Sequence, residues 1–205
     1  MIARRILLLG FLALWLLPGH PAEDTVIGWY NGEWQQGIPG LANWYLGPDR
    51  FSRVYDQFEV PEPGWTVVGV FSDNGLYEFP PVTHAYWEVR RGMSPKHGGK
   101  VVAKGVARAT QEHASAARGA AQYRVQVDGL RVHLPAGRYW LSVAPVGEGQ
   151  AFLNATIGRN AIGAHEGLTL FHDGHKRKFR PVEEVGDAGQ MGVCKHFAQG
   201  VLIAK

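Results

Sequence analysis

The sequence has almost no cysteine. Of its 205 residues only Cys194 is a cysteine, so no disulfide bond can form within the chain. We expect a lone thiol of this kind to be buried as a small apolar side chain, with a crosslink between chains as the alternative. The fold must therefore be held by a hydrophobic core, and a chain of this length can bury about 70% of its unfolded surface.

Long apolar runs are also missing. The longest one, Ile6 to Leu17, is shorter than the roughly 20 residues of a membrane-spanning helix. It follows Arg4 and Arg5 and precedes the small residue Ala22, which is the order of a secretory signal peptide. We predict a signal peptide at residues 1–22, one domain at residues 23–205, and no stable membrane span after the signal is removed. The protein is then secreted, periplasmic or attached to the cell surface.

Charge of one sign does not dominate the sequence. Removal of the signal takes two of the 21 basic residues and leaves 19 against 18 acidic residues, a formal charge of +1. The short basic run Lys176 to Arg180 is expected to be solvated. We therefore predict no nucleic-acid partner.

Catalytic motifs are absent as well. The sequence contains no GxSxG, no Walker loop, no HExxH and no supported Cys/His pair. We therefore expect binding rather than catalysis, and no cofactor.

Strand patterns fill the remainder of the chain. Tyr123 to Val127 alternates apolar and polar residues, and Arg138 to Val146 is apolar on both faces, as expected of a strand in the middle of a sheet. Short strands separated by Gly, Pro, Asn and Asp predict an all-β fold, an antiparallel, jelly-roll-like β-sandwich of roughly eight to ten strands. Further strands are predicted at Thr25–Tyr30, Phe51–Val60, Trp65–Ser72, His84–Arg91, Lys100–Thr110, Ala151–Ile157, Leu168–His172 and Phe197–Ala204.

Four segments are predicted to lie outside strands. Gly32–Arg50 has no clean period and is expected to be a long loop. Asp73-Asn74-Gly75 and Asp128-Gly129 have the residues of turns. Gln111–Ala121 is rich in alanine but has no apolar stripe and contains Gly119, so we expect a loop or a frayed turn.

Three segments carry a resemblance to a known group of proteins. They are Val54-Tyr55-Asp56-Gln57-Phe58 before Trp65-Thr66-Val67, then Leu134 to Leu141, and His196 to Val201. The sequence resembles secreted bacterial β-sandwich proteins, many of unknown function, some of which end in a Pro-Glu-Pro type sorting signal. The sequence to Lys205 has no such signal. The resemblance implies an exported bacterial sandwich and transfers no catalytic residue.

Asp56 is the first candidate for a functional side chain. Strict alternation puts it on the same strand face as Val54 and Phe58, which is the face expected to be buried. A buried carboxylate is costly unless it is paired, hydrogen-bonded or bound to a metal. We expect a structural hydrogen bond or ion pair, with a structural Ca²⁺ or a strand irregularity as alternatives.

Imidazoles and carboxylates form a second candidate site. His165-Glu166 is followed by His172-Asp173-Gly174-His175, and such side chains can bind a metal or act as general acid and base. His172, Asp173 and His175, with Asp56, are the predicted metal ligands. The alternative is a solvated Asp-Gly turn, because the neighbouring run Lys176 to Arg180 would repel a cation.

Aromatic residues in the predicted long loop form the third candidate. Trp34, Trp44 and Tyr45 can stack on the apolar faces of sugar rings, and Asn43 can bond a hydroxyl. The alternative is that these rings cap the end of the core.

Three functions remain open from the sequence. The first is an exported binding module for carbohydrate or another surface protein. The second is a structural component of the extracellular matrix without a small-ligand site. The third is a metal-dependent hydrolase that uses His165, His172, Asp173 and His175.

Overall fold

A computed structural model describes residues 24–38, 40–117, 120–164, 167–174, 178–185 and 196–205. The predicted signal peptide, Cys194, the pair His165-Glu166 and His175 lie outside the described residues. The strands are β1 Thr25–Tyr30, β2 Leu41–Ala42, β3 Trp44–Gly47, β4 Arg50–Val60, β5 Trp65–Tyr77, β6 His84–Arg91, β7 Lys100–Arg108, β8 Thr110–Ala117, β9 Ala120–Leu134, β10 Gly137–Pro145, β11 Gln150–Leu153, β12 Ala155–Thr156, β13 Leu170–Asp173, β14 Arg180–Pro181, β15 His196–Phe197 and β16 Gln199–Ala204. One 3₁₀ turn follows β14 at Val182–Glu184.

Two seven-stranded antiparallel sheets pack together. In the first sheet, β5 pairs with β9 along one edge and with β16 and then β11 along the other; β8, β1 and β2 lie outermost. In the second sheet the order is β14-β13-β4-β10-β6-β7, and β3 pairs with the beginning of β4. The predicted antiparallel β-sandwich is confirmed. The strands outnumber the prediction because two predicted strands are each divided into two and because β2, β3, β8 and β14 lie outside the predicted strands.

The main core lies between the two sheets. Alternate residues of each strand point inward, and the buried ones are almost all aliphatic or aromatic. The first sheet contributes Val67, Val70, Val125, Val127 and Val201, and the second contributes Phe58, Val60, Trp87, Val89, Leu141 and Val143. β10 lies between β4 and β6, so the prediction that this strand is central is confirmed.

The turn and loop predictions are wrong at four places. The segment Gly32–Arg50 contains β2 and β3, and residues of Gln111–Ala121 form most of β8 and the start of β9. β5 continues through Asp73-Asn74-Gly75 to Tyr77, because β9 and β11 pair with it there. β9 likewise continues through Asp128-Gly129, where an irregularity in its pairing with β5 accommodates the positive φ of Gly129. In the described residues no helix is long and apolar enough to cross a membrane.

Candidate functional site

The outer face of the first sheet carries a groove. Residues directly opposite each other in paired strands point to the same side of a sheet, so the register identifies its floor. Two rows of facing residues form this floor: Glu112, Arg124 and Asp73 in one row, and Gln122, Gly75 and Phe152 in the next. Trp34 borders the cavities above both rows, and we call the site the Trp34 groove.

A charged network fixes one end of the groove. Nε and a terminal nitrogen of Arg124 donate to the two carboxylate oxygens of Asp73, at 2.8 and 2.9 Å. The Tyr30 hydroxyl donates to the same carboxylate at 2.8 Å. The Arg124 guanidinium also lies 4.0 Å from the ring centre of Phe71, a cation–π contact. Burial and then the charge of Asp73 raise the pKa of Tyr30, so its hydroxyl stays protonated as a donor.

The loop that carries Trp34 is fastened to the sandwich by its backbone. The amide of Glu33 donates to the Arg159 carbonyl at 2.8 Å, and the amide of Gln35 donates to the Ala155 carbonyl at 3.0 Å. Trp34 itself forms an isolated β-bridge with Thr156. These bonds hold the backbone of Trp34 beside the groove without help from a ligand, and the side chain of Trp34 is partly exposed.

The groove consists of two adjoining cavities. The first, about 370 Å³, lies over the Asp73–Arg124 network, and Glu33, Glu112 and His113 also border it. The second, about 300 Å³, is bordered by Ile38, Gly75, Tyr77 and Phe152. Both cavities are bordered by Trp34, Gln122 and Asn154.

Gly75 has no side chain and therefore leaves the floor of the second cavity open. A Cβ at this position would lie 3.4 Å from the ring of Tyr77, 3.5 Å from Nε2 of Gln122 and 3.6 Å from Oδ1 of Asn154. These are ordinary contact distances, so a Cβ would fit here without a clash. Glycine therefore leaves open a space at the border of the second cavity that a small side chain could occupy.

Two amide side chains that border the groove each have one polar atom without a hydrogen-bond partner among the described residues. Gln122 and Asn154 are almost completely buried, yet Oε1 of Gln122 and Nδ2 of Asn154 have no hydrogen-bond partner among the described residues. An unsatisfied buried polar group costs about 1–3 kcal/mol. One atom is an acceptor and the other a donor, but both have almost no solvent-accessible area. A hydroxyl group can bond to them only if the two amides turn towards the cavities.

The predicted ligand-binding residues do not share one surface. Trp34 borders the groove, whereas Trp44 borders a separate cavity with Arg50 and Glu148. Tyr45 stacks on Tyr86, with ring centres 4.3 Å apart. The structure thus separates the three rings that the sequence grouped together.

Asn43 is the exception among the predicted ligand-binding residues, because it is fully buried. Its Nδ2 donates to Oδ1 of Asn74 at 2.9 Å and to the Val143 carbonyl at 2.8 Å. These bonds tie the segment before β3 to β5 and β10. In this structure Asn43 is a structural amide and lies away from any surface that a ligand could reach.

Asp56 is buried on the inner face of β4, as its alternation predicted. Its two carboxylate oxygens accept hydrogen bonds from Oγ1 of Thr169 at 2.6 Å and from Nε2 of Gln199 at 2.7 Å. Burial raises the pKa of Asp56 to about 7, although both hydrogen bonds act to lower it. The carboxyl group therefore connects β4 of the second sheet to β16 of the first.

The three predicted metal ligands that the structure describes, Asp56, His172 and Asp173, are not brought together; His175 lies outside the described residues. His172 is opposite Arg53 on the outer side of the second sheet, whereas Asp56 points to the core. The ring of His172 stacks on Phe179 at 4.2 Å, and Asp173 is paired with Arg180 at 2.9 Å. Over the described ranges, no group of three or more His, Cys, Asp or Glu side chains is arranged to hold a metal ion.

The outer face of the second sheet buries a charged cluster that the sequence analysis did not single out. Glu88 accepts hydrogen bonds from Arg53 at 2.8 Å and from the Tyr55 hydroxyl at 2.6 Å, and Arg90 pairs with it at 2.9 Å. Burial alone raises the pKa of Glu88, but Arg53, Tyr55 and Arg90 together lower it below its usual value. The Arg53 guanidinium also lies 4.5 Å from the ring centre of Tyr86. This cluster is closed to solvent and holds the sheet together.

The residues that form the groove were also missed. Asp73 was predicted to lie in a turn and Arg124 on the polar, solvent-facing side of a strand. The two residues are 51 positions apart in the chain. The only available signal was alternation, since Asp73, Gly75 and Tyr77 share one face of β5. This pattern could have been followed only if the turn at Asp73-Asn74-Gly75 had been rejected.

Comparison with known proteins supplies no family. No protein-family model matches the sequence, and no curated protein matches it. A solved structure that resembles the chain is described as the crystal structure of the cysteine protease and lectin-like domains of Cwp84, a surface layer associated protein of Clostridium difficile. The two are 11% identical with a TM-score of 0.45, over 75% of this chain and 32% of the other. This chain thus spans about a third of the length of that structure.

Proposed function

We propose that the protein is an exported binding module that holds carbohydrate in the Trp34 groove. The observation that carries the proposal is a partly exposed aromatic side chain, on a backbone bonded to the sandwich, beside two amides that have unsatisfied atoms. Trp34 offers an apolar face to a sugar ring, and Gln122 and Asn154, turned towards the groove, would offer an acceptor and a donor to its hydroxyl groups.

The charges around the groove favour a glycan without acidic groups. Glu33, Asp73 and Glu112 border it together with one guanidinium, that of Arg124. Asp73 is neutralised by Arg124, and Glu33 lies 3.7 Å from Arg159. Glu112 has no ion-pair partner among the described residues and would repel a uronic acid or a sulfated sugar. We therefore propose a neutral polysaccharide as the partner and no cofactor.

Export by the signal peptide is part of the same proposal, since a polysaccharide partner lies outside the cell or in its wall. Intact-mass analysis of secreted material should show a chain that begins near residue 23. Secreted material that still begins at Met1 would contradict this part of the proposal.

The central test compares two tryptophans. Trp34→Ala and Trp44→Ala remove the same side chain, both partly exposed, but from different cavities. Retention on insoluble cellulose, chitin, xylan and mannan should fall for Trp34→Ala and stay at the wild-type level for Trp44→Ala. Thermal melts of the same samples report whether each variant is folded.

Each possible result decides between the proposal and a named alternative. Retention of wild type on none of the four polysaccharides would favour a structural matrix component. Equal loss in the two variants would place binding outside the groove. Release of soluble sugar that stops on addition of a chelator would favour a metal-dependent hydrolase.

A further inference from the structure

The two cavities of the Trp34 groove differ in chemistry. The first has ionised side chains on its floor and sides, namely Asp73, Arg124 and Glu112. The second contains no ionisable group other than the phenol of Tyr77 among the residues that border it. The groove is therefore charged at one end. The other end is uncharged and combines aromatic rings with the amides of Gln122, Gln150 and Asn154.

The uncharged end offers an aromatic ring to a ligand. Tyr77, the last residue of β5, is 42% exposed, so a ligand in the groove can reach its ring. Its ring meets that of Phe152 edge to face, with centres 5.9 Å apart, which fixes its orientation. Gly75 leaves the floor beside it open.

The two ends are continuous, because Trp34, Gln122 and Asn154 border both cavities. An occupant that filled only one cavity would leave part of these shared side chains uncovered. A sugar ring has a hydroxyl-rich edge and an apolar C–H face, and two linked sugars can present one of each.

We infer that the groove binds two adjacent units of one glycan, with a disaccharide as the smallest full ligand. The inference rests on the proposed function and specifies its ligand. The charged end holds the hydroxyl edge of one unit, and the uncharged end stacks the C–H face of the next unit on Tyr77. Gln122 and Asn154 lie at the junction between the units.

The test measures affinity as a function of ligand length. Wild-type protein is titrated calorimetrically with the mono-, di- and tetrasaccharides of glucose (β-1,4), N-acetylglucosamine (β-1,4), xylose and mannose. For the sugar that binds, affinity should rise about tenfold from one unit to two and then level off. Tyr77→Ala and Gly75→Val should remove this rise, the first by deleting the stacking surface and the second by filling the floor. Trp44→Ala is the control and should keep the rise.

The outcomes separate the inference from the proposed function. If wild type binds one unit as tightly as two, or if Tyr77→Ala keeps the rise, the two-unit inference is wrong while carbohydrate binding stands. If wild type binds none of these sugars and none of the insoluble polysaccharides, the proposed function fails and the inference fails with it. Melting temperatures of the variants exclude loss of folding as the cause.

Discussion

Asp56→Asn should change how the stability of the protein depends on pH. The folded-state pKa of Asp56 is about 7, raised from 3.8 by burial. Between these two values the folded protein keeps a proton that the unfolded chain has released. The contribution of this group to stability is thus complete below the unfolded pKa and is lost as the pH rises through about 7.

The magnitude follows from the size of the shift. One pKa unit corresponds to about 1.4 kcal/mol, so this carboxyl group should lower the free energy of unfolding by about 3 kcal/mol between about pH 4.5 and about pH 8. Asparagine has the same shape and does not titrate. Its amide can be accommodated, because Oε1 of Gln199 has no partner among the described residues and can accept a bond if the Gln199 amide rotates.

The assay is urea unfolding of both proteins across this pH range. The difference in unfolding free energy between wild type and Asp56→Asn should change by about 3 kcal/mol, with the variant gaining relative stability at high pH. Other groups titrate equally in both proteins and cancel in the difference. Parallel curves would refute the reasoning and show that Asp56 does not hold a proton in the folded state. Repeating the melts with added Ca²⁺ tests the structural-calcium alternative, since only wild type would then be stabilised.

Three further substitutions test other parts of the structure. Trp140→Ala should lower the free energy of unfolding, measured with urea, by about 3–5 kcal/mol, because this ring is buried and its Nε1 donates to the Leu168 carbonyl. A decrease below about 1 kcal/mol would contradict the central position of Trp140 in the sheet. Glu88→Gln should lower the free energy of unfolding by a similar amount, about 3–5 kcal/mol, because it leaves the guanidinium of Arg53 buried without a carboxylate. The double variant that also carries Arg53→Met should regain part of this lost stability. His172→Gln should weaken the loss of stability as the pH falls from about 6.5 towards 4, since burial and then Arg53 lower the pKa of His172 to about 4. If the variant loses as much stability as wild type over this pH range, His172 binds its proton as readily in the folded protein as in the unfolded chain.

Local patterns predicted most of the fold. The alternation in Phe51–Val60 and the doubly apolar Arg138–Val146 placed β4 and β10 correctly, because each pattern is set by burial on one or both faces of a strand. The burial of Asp56 was visible for the same reason. These features depend on residues that are near one another in the sequence.

The errors arose where distant pairing overrides local preference. Asp73-Asn74-Gly75 has the composition of a turn, but Arg124 and the pairing of β9 with β5 keep it extended. The alanine-rich β8 has little β propensity of its own and is a strand because β9 pairs with it. The candidate site was missed for this reason, since half of the floor residues, Asp73, Gly75 and Glu112, come from these two segments.

The two faces of β5 have different surroundings, and this determines which of its residues can be substituted. Asp73, Gly75 and Tyr77 point to the groove, whereas Ser72, Asn74 and Leu76 point to the interior. Gly75 and Tyr77 can therefore be substituted with little effect on the core, whereas Asp73 is buried and bonded to Tyr30 and Arg124, so its substitution would also lower stability. Variation in nature or in the laboratory can change the chemistry of this surface at the end of β5 while the interior stays constant.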